Sequence, residues 1–134
     1  MNDCRPQMYT DEQGSRTTEV TERSIGCAMT VLNTLGIGFA EKVYENSLGI
    51  ELRRAGLKAE QQKELSVHSR GELVGSYAVE LLVEDSVIVE LEAVKAFEDA
   101  HVAQCLNYLR AADCRIGLLL NFGNPRLGIR RLVF

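Results

Sequence analysis

The sequence has no excess of positive charge. Its 134 residues include 15 Lys and Arg against 19 Asp and Glu, a net charge of −4. That balance excludes a globally basic surface for nucleic acid, whose binding rests largely on neutralising phosphates. Only a local patch such as Arg126, Arg130 and Arg131 is left for such a partner, and arginines on a terminal strand also serve as solvated edge protection. No apolar run approaches the ~20 residues that span a bilayer, and the polar N-terminus does not have the form of a signal peptide, so no membrane partner is expected. The four cysteines, Cys4, Cys27, Cys105 and Cys114, show no C-x-x-C spacing, and only His68 and His101 are there to join them. A zinc site is therefore not expected, and the cysteines read as reduced thiols of a cytoplasmic protein. Internal repeats and low-complexity segments are also missing.

What is present is an ordinary globular composition, 46% hydrophobic and 25% charged, at a length that suits one domain with one core. Residues 1–16 are polar and aperiodic and read as a flexible leader before a single domain over residues 17–134. A helix is predicted from Thr18, with Ile25, Ala28, Met29, Leu32 and Leu35 on its core side and Gly36-Ile37-Gly38 as its stop. A second helix is predicted over residues 39–55, with a buried stripe of Phe39, Val43, Ser47, Leu48, Leu52 and Ala55 and with Gly56 after it. Glu41 sits almost above Leu48, two turns along, on the inward side. It is either a first-turn acid favoured by the helix dipole or a carboxylate aimed at the sheet.

Strands are predicted over residues 58–68 and from Leu73, with a turn at residues 69–72 between them. Next comes a hairpin over residues 77–94, YAVELLVEDSVIVELEAV, turning at Glu84-Asp85-Ser86. Period-two alternation puts Tyr77, Val79, Leu81 and Val83 on one face and Ala78, Glu80 and Leu82 on the other. In the second arm Val87, Val89, Leu91 and Ala93 point one way, and Ile88, Glu90, Glu92 and Val94 the other. A turn centred on Asp85 sets Glu80 opposite Glu90, with side chains roughly 5 Å apart. Like charges that meet in a poorly solvated place raise their own pKa values, and a divalent cation with oxygen ligands would remove the penalty. The alternative is a sheet face open to water. A helix over residues 98–112 follows, with Gln104 and Tyr108 one turn apart and His101 nearby. The strand RIGLLLNF over residues 115–122 is apolar enough to be buried on both faces, and a last strand covers residues 127–134. The order helix, helix, three strands, helix, strand, strand indicates a mixed α+β or α/β fold, a central sheet flanked by helices.

Gly38, Glu41 and Tyr44 spell G-x-x-E-x-x-Y within LGIGFAEKVYENSLGIELRRAGL. That text, the hairpin VELLVEDSVIVELEAV, the helix text AQCLNYLRA and the tail GLLLNFGNPRLGIRRLV together resemble the GxxExxY protein family, part of the PD-(D/E)XK nuclease-like superfamily. The resemblance runs from Thr18 to Phe134. It implies a restriction-endonuclease-like αβββαβ core, here with an extra C-terminal strand. It implies that Glu41, Glu80 and Glu90 hold Mg²⁺ or Mn²⁺, that Glu90 is the acid of the (D/E)xK motif, and that Gln104 and Tyr108 are its Q-x-x-x-Y pair. It also implies DNA or RNA as partner. In active relatives the metal activates a water and neutralises the scissile phosphate, and the motif lysine stabilises negative charge.

The sequence departs from that pattern in three places. Glu92 stands at the motif lysine, Glu80 replaces an aspartate, and Leu32 stands where the family's first helix usually has a histidine. Glu92 puts an anion where a cation should face the developing charge. Lys95 reaches back toward the site if the strand ends near Ala93, and points away if the strand continues. The expectation is a relative of metal-dependent nucleases with weak or lost cleavage. The alternative is an inactive nucleic-acid-binding or protein-interaction domain, a homodimer.

Overall fold

The computed structural model describes residues 11–134. Eight elements follow one another: α1 (Asp11–Leu35), α2 (Glu41–Arg54), β1 (Ala59–Ser69), β2 (Glu72–Val83), β3 (Val87–Glu92), α3 (Asp99–Ala112), β4 (Ile116–Asn121) and β5 (Gly128–Val133). The element order is the one expected from the sequence. The helix α1 begins at Asp11, so residues 11–16 of the expected leader are helical, and residues 1–10 lie outside the described residues.

The strands form one mixed sheet in the order β1-β2-β3-β4-β5. Neighbouring strands are antiparallel except for β3 and β4, which are parallel and joined through α3. Val87, Ile88, Val89 and Leu91 of β3 and Leu118, Leu119 and Leu120 of β4 are buried, which explains the unbroken apolar run that the sequence shows there. One face of the sheet carries Leu81, Val83, Val87, Val89, Leu91, Leu118, Leu120 and Phe122, covered by α1 and α2. The other face packs Leu82, Ile88 and Leu132 against Cys105, Tyr108 and Leu109 of α3. The architecture is therefore helix, sheet, helix in three layers, a restriction-endonuclease-like mixed fold.

Three side-chain assignments differ from the periodic expectation. The buried stripe of α2 is Tyr44, Glu45, Leu48, Gly49 and Leu52, while Phe39 and Val43 are exposed. The helix starts two residues later than expected, and its inward face is turned toward Tyr44 and Glu45. On α1, Met29 is exposed and Val31 is buried in its place. In β2 the strict alternation fails between Val79, which joins the α3 side, and Leu81, which joins the α1–α2 side. Gln62 lies across from this break, between the pairs Gln61↔Leu81 and Lys63↔Val79, and has φ 53°, a left-handed backbone that an extended strand does not use.

The motif tyrosine has a structural role. Tyr44 is fully buried, stacks on Phe122 at 4.9 Å, and donates its hydroxyl proton to the Gly36 carbonyl at 2.7 Å. The same oxygen accepts the Phe39 backbone N–H at 3.2 Å. These bonds fix the turn between the helices, where Gly38 takes φ 107°, a conformation that suits glycine alone. The turn delivers Glu41 as the first residue of α2.

Candidate acidic site

The hairpin turn works as the sequence indicates. Glu84 and Asp85 both have positive φ, as hairpins with right-handed twist prefer, and Lys58 ties the turn down through both Asp85 oxygens. The register Val83↔Val87, Leu82↔Ile88, Leu81↔Val89 then brings Glu80 opposite Glu90. The backbone ladder stops at Leu81 and Val89, and side chains replace it. The Glu80 N–H donates to Glu90 Oε2 at 2.8 Å, and the Leu91 N–H donates to Glu80 Oε1 at 2.6 Å. The strands part here, and the two carboxylates occupy the fork.

Burial is the main cause of what these acids do. It pushes Glu90 up to about 8, with the charge of Glu80 as the next cause, opposed by the bond from the Glu80 N–H. Burial pushes Glu80 up to about 7, opposed by the Leu91 N–H and reinforced by Glu41, Glu45 and Glu92. Burial also raises Glu92, with Glu41 adding and His101 opposing. Near neutral pH the Glu80–Glu90 pair thus does not carry two full charges; the sequence points to repulsion between the two acids as the cause, whereas burial is the larger one.

Glu41 takes both of the roles left open for it. As the first residue of α2 it sits at the positive end of the helix dipole, and its charge reaches Glu80 and Glu92. Glu92, at the end of β3, lies within hydrogen-bonding reach of Glu41, and its Oε1 is 3.4 Å from His101 Nε2. His101 Nδ1 accepts the Glu98 N–H at 2.9 Å, which fixes the tautomer with the proton on Nε2, toward Glu92. On α3, Gln104 Nε2 donates to the Tyr108 hydroxyl at 2.8 Å, and Glu90 and Glu80 help burial to raise the pKa of that phenol. The Q-x-x-x-Y pair therefore borders the fork.

Lys95 makes no ion pair with these acids among the described residues. The strand ends at Glu92, and the chain leaves the sheet under the hold of Asn121, whose side chain accepts the Val94 N–H at 3.0 Å and donates to the Val94 carbonyl at 2.7 Å. Lys95 follows as an exposed residue that makes no ion pair among the described residues, its carbonyl bonded by Asn124 Nδ2. The parity argument for a continuing strand does not apply.

Sequence reasoning missed Glu45. Only 1% of it is exposed, and its carboxylate accepts from Lys42 Nζ at 3.1 Å, Gln61 Nε2 at 2.9 Å and Gln62 Nε2 at 2.9 Å. The signal was present in the spacing: Glu45 is four residues from Glu41 and so shares its face. The left-handed turn of Gln62, which the sequence does not show, supplies part of the cage. His101 and Asn121 were also missed as partners of the site.

The donor set suits a hard divalent cation in kind, since it consists of carboxylates with little positive charge among them. As placed it is not a coordination shell. Two of the oxygens are committed to backbone N–H groups, and no cluster of three or more His, Cys, Asp or Glu side chains among the described residues is arranged to hold an ion.

No curated protein matches the sequence significantly. The fold is similar to the crystal structure of SSO0001, with a TM-score of 0.53 and 15% identity over 87% of this chain. The chain spans 58% of the length of that protein, and at this identity the likeness is one of fold. A sequence profile described as the PD-(D/E)XK nuclease superfamily matches residues 18–132, which include both helices packed on the fork, the split hairpin and the Gln104–Tyr108 pair, so the chain belongs to the PD-(D/E)XK nuclease superfamily.

Proposed function

We propose that the protein is a member of the GxxExxY group within this superfamily, and that it engages DNA or RNA with weak or lost phosphodiester cleavage. One observation carries this reading: the position of the motif lysine is filled by Glu92, whose carboxylate lies beside Glu41 and His101, while Lys95 is exposed and off the sheet. Glu80 and Glu90 would hold Mg²⁺ or Mn²⁺ together with Glu41. When bound, the cation would polarise the phosphate and lower the pKa of a water. The protein's own contribution is to fix the Glu80 and Glu90 carboxylates through the crossed backbone bonds and to present Gln104 and Tyr108 at the border of the fork. Positive charge at the reacting phosphate is what the chain lacks. Loss of one well-placed electrostatic group costs ~10²–10³ in rate, and a reversed charge at least as much.

The test is a cleavage assay with Mn²⁺ or Mg²⁺ on single-stranded, double-stranded and branched DNA and RNA. Wild type is expected to cut poorly or not at all, and Glu92→Lys to raise metal-dependent cleavage. A vigorous wild type that Lys95→Ala abolishes would show that Lys95 has taken over the motif role. A second reading, an inactive binding or scaffold domain, is favoured by the crossed bonds of Glu80 and Glu90, which satisfy one oxygen of each acid without any ion. It gains if neither wild type nor Glu92→Lys cuts any of these substrates.

A further inference from the structure

The strand β2 has two halves with different edges. Leu81, Leu82 and Val83 have β1 on one side and β3 on the other, while residues 72–80 pair only with β1 among the described residues. The Glu80 N–H points away from β1, because it reaches Glu90. Antiparallel strands alternate the direction of their backbone groups, so the N–H and C=O of Ala78 and Ser76 point the same way as those of Glu80. Both residues are exposed, and among the described residues no neighbouring strand receives these groups.

The side chains of this half do not protect it. Between Glu72 and Glu80 the sequence is Leu-Val-Gly-Ser-Tyr-Ala-Val, seven residues without a charge or a proline. Leu73, Val74 and Tyr77 are 62%, 63% and 52% exposed. Folded proteins usually blunt an open edge with lysine, proline or a bulge; here the register shift lies out at Val67/His68 and the break opposite Gln62 lies at the Glu80 end, so the stretch around Tyr77 between them is regular.

We propose that this edge pairs with the same edge of a second copy of the chain, β2 against β2, antiparallel about a two-fold axis at Tyr77. The charge pattern selects both the partner and the register. Centred on Tyr77, Ser76 of each copy exchanges both backbone bonds with Ala78 of the other, which satisfies the outward groups of both residues in both copies. Glu80 then faces Val74, and no like charges meet. Centred on Ser76, Glu72 would face Glu80, an unfavourable like-charge pair. Centred on Ala78, Ser76 would have to exchange bonds with Glu80, whose N–H Glu90 already holds, next to the axis; centred on Tyr77, the Glu80 N–H stays with Glu90 at the margin of the joint and the central pairs lose nothing. The strand is thus complementary to itself in one register, as an isologous interface requires. The two Tyr77 rings would form a cross-strand aromatic pair, each already resting on Tyr108 at 5.6 Å between ring centres. The inference is independent of whether the acidic site binds metal or cuts nucleic acid.

Sedimentation equilibrium of the full chain from low to high micromolar concentration tests it. The expected species has twice the 14.9 kDa chain mass. Ser76→Pro removes an outward donor and leaves the bonds toward β1 in place, and Tyr77→Lys sets two ammonium groups against each other. Each should weaken the dimer at least tenfold. Tyr77→Cys should form a disulfide across the axis on mild oxidation, since directly opposed residues of this pair type lie about 4.5 Å apart at Cα, within bridging range. Peptide mapping identifies that link. Should Ser76→Pro fail to fold, Tyr77→Lys and the cross-link decide. A wild type that is monomeric throughout, including one whose edge takes up an extended peptide of another protein, overturns the proposal. So does a dimer insensitive to Tyr77→Lys that gives no cross-link at position 77.

Discussion

Glu80 and Glu90 hold the two strands of the hairpin apart by bonding across the gap to each other's strand: the Glu80 N–H to the Glu90 carboxylate, the Leu91 N–H to the Glu80 carboxylate. Two acids that repel one another thus do the work of a backbone ladder. Both would be less costly if neutral.

Stability should therefore fall as pH rises across the site's titration. In the folded chain Glu90 stays protonated up to about 8, whereas in the unfolded chain it ionises near the ordinary glutamate value of 4.5. Between these values the folded state binds more protons, so the contribution of Glu90 to stability is full below about 4.5 and is lost as pH climbs through about 8. Glu80, raised to about 7, acts in the same direction. Glu90→Gln should flatten this slope and raise stability at pH 8 by on the order of 1 kcal/mol. Urea unfolding at pH 6 and pH 8 reads both effects, and a slope unchanged in Glu90→Gln would show that Glu90 is not the group responsible.

Millimolar Mn²⁺ or Mg²⁺ should raise the melting temperature, because an ion that binds only the folded cluster stabilises it by mass action. The gain should be larger at pH 8 than at pH 6, since the ligands must lose their protons to bind. Thermal melts in metal and in EDTA decide the matter. Identical curves at both pH values would count heavily against a metal site.

Tyr44→Phe should destabilise the fold by about 1–3 kcal/mol with little change in packing volume. It removes the donor to the Gly36 carbonyl and the acceptor of the Phe39 N–H in a fully buried place. Chemical denaturation measures the loss. Amide exchange should quicken at residues 36–40, ahead of Glu41. Exchange that quickens elsewhere instead would remove Tyr44 from its role at this turn.

Gly123→Ala should be among the most damaging small substitutions in the chain, roughly 2–4 kcal/mol. A Cβ there would lie 2.2 Å from the Val94 carbonyl oxygen and 2.6 Å from the Val94 nitrogen, both backbone atoms. The segment after β3 would have to move off Asn121, which also accepts the Gly123 N–H. Unfolding of the purified variant tests this, and near wild-type stability would mean that the close approach of these segments is not required.

Much of the fold was legible in the sequence because its signals are local. The Glu84–Asp85 turn, the apolar runs of β3 and β4, and the spacing of Gln104 and Tyr108 each follow from a few neighbouring residues, and the turn alone fixes the register that opposes Glu80 to Glu90. The rest depended on which way whole elements turn. The rotation of α2 was misread because apolar spacing favoured Phe39 and Val43, yet the helix is oriented by the two bonds and the ring stack of Tyr44, and that same rotation buries Glu45. The break between Val79 and Leu81 could not be read from alternation, because it lies opposite a left-handed Gln62 that no local preference demands. Nor could the place of Lys95, which rests on Asn121, 27 residues from Val94 in sequence, closing its side-chain amide on that backbone. Periodicity reports the short-range preferences of one segment, whereas these outcomes were decided by contacts between segments, where one buried polar group must find its partner or the pairing fails.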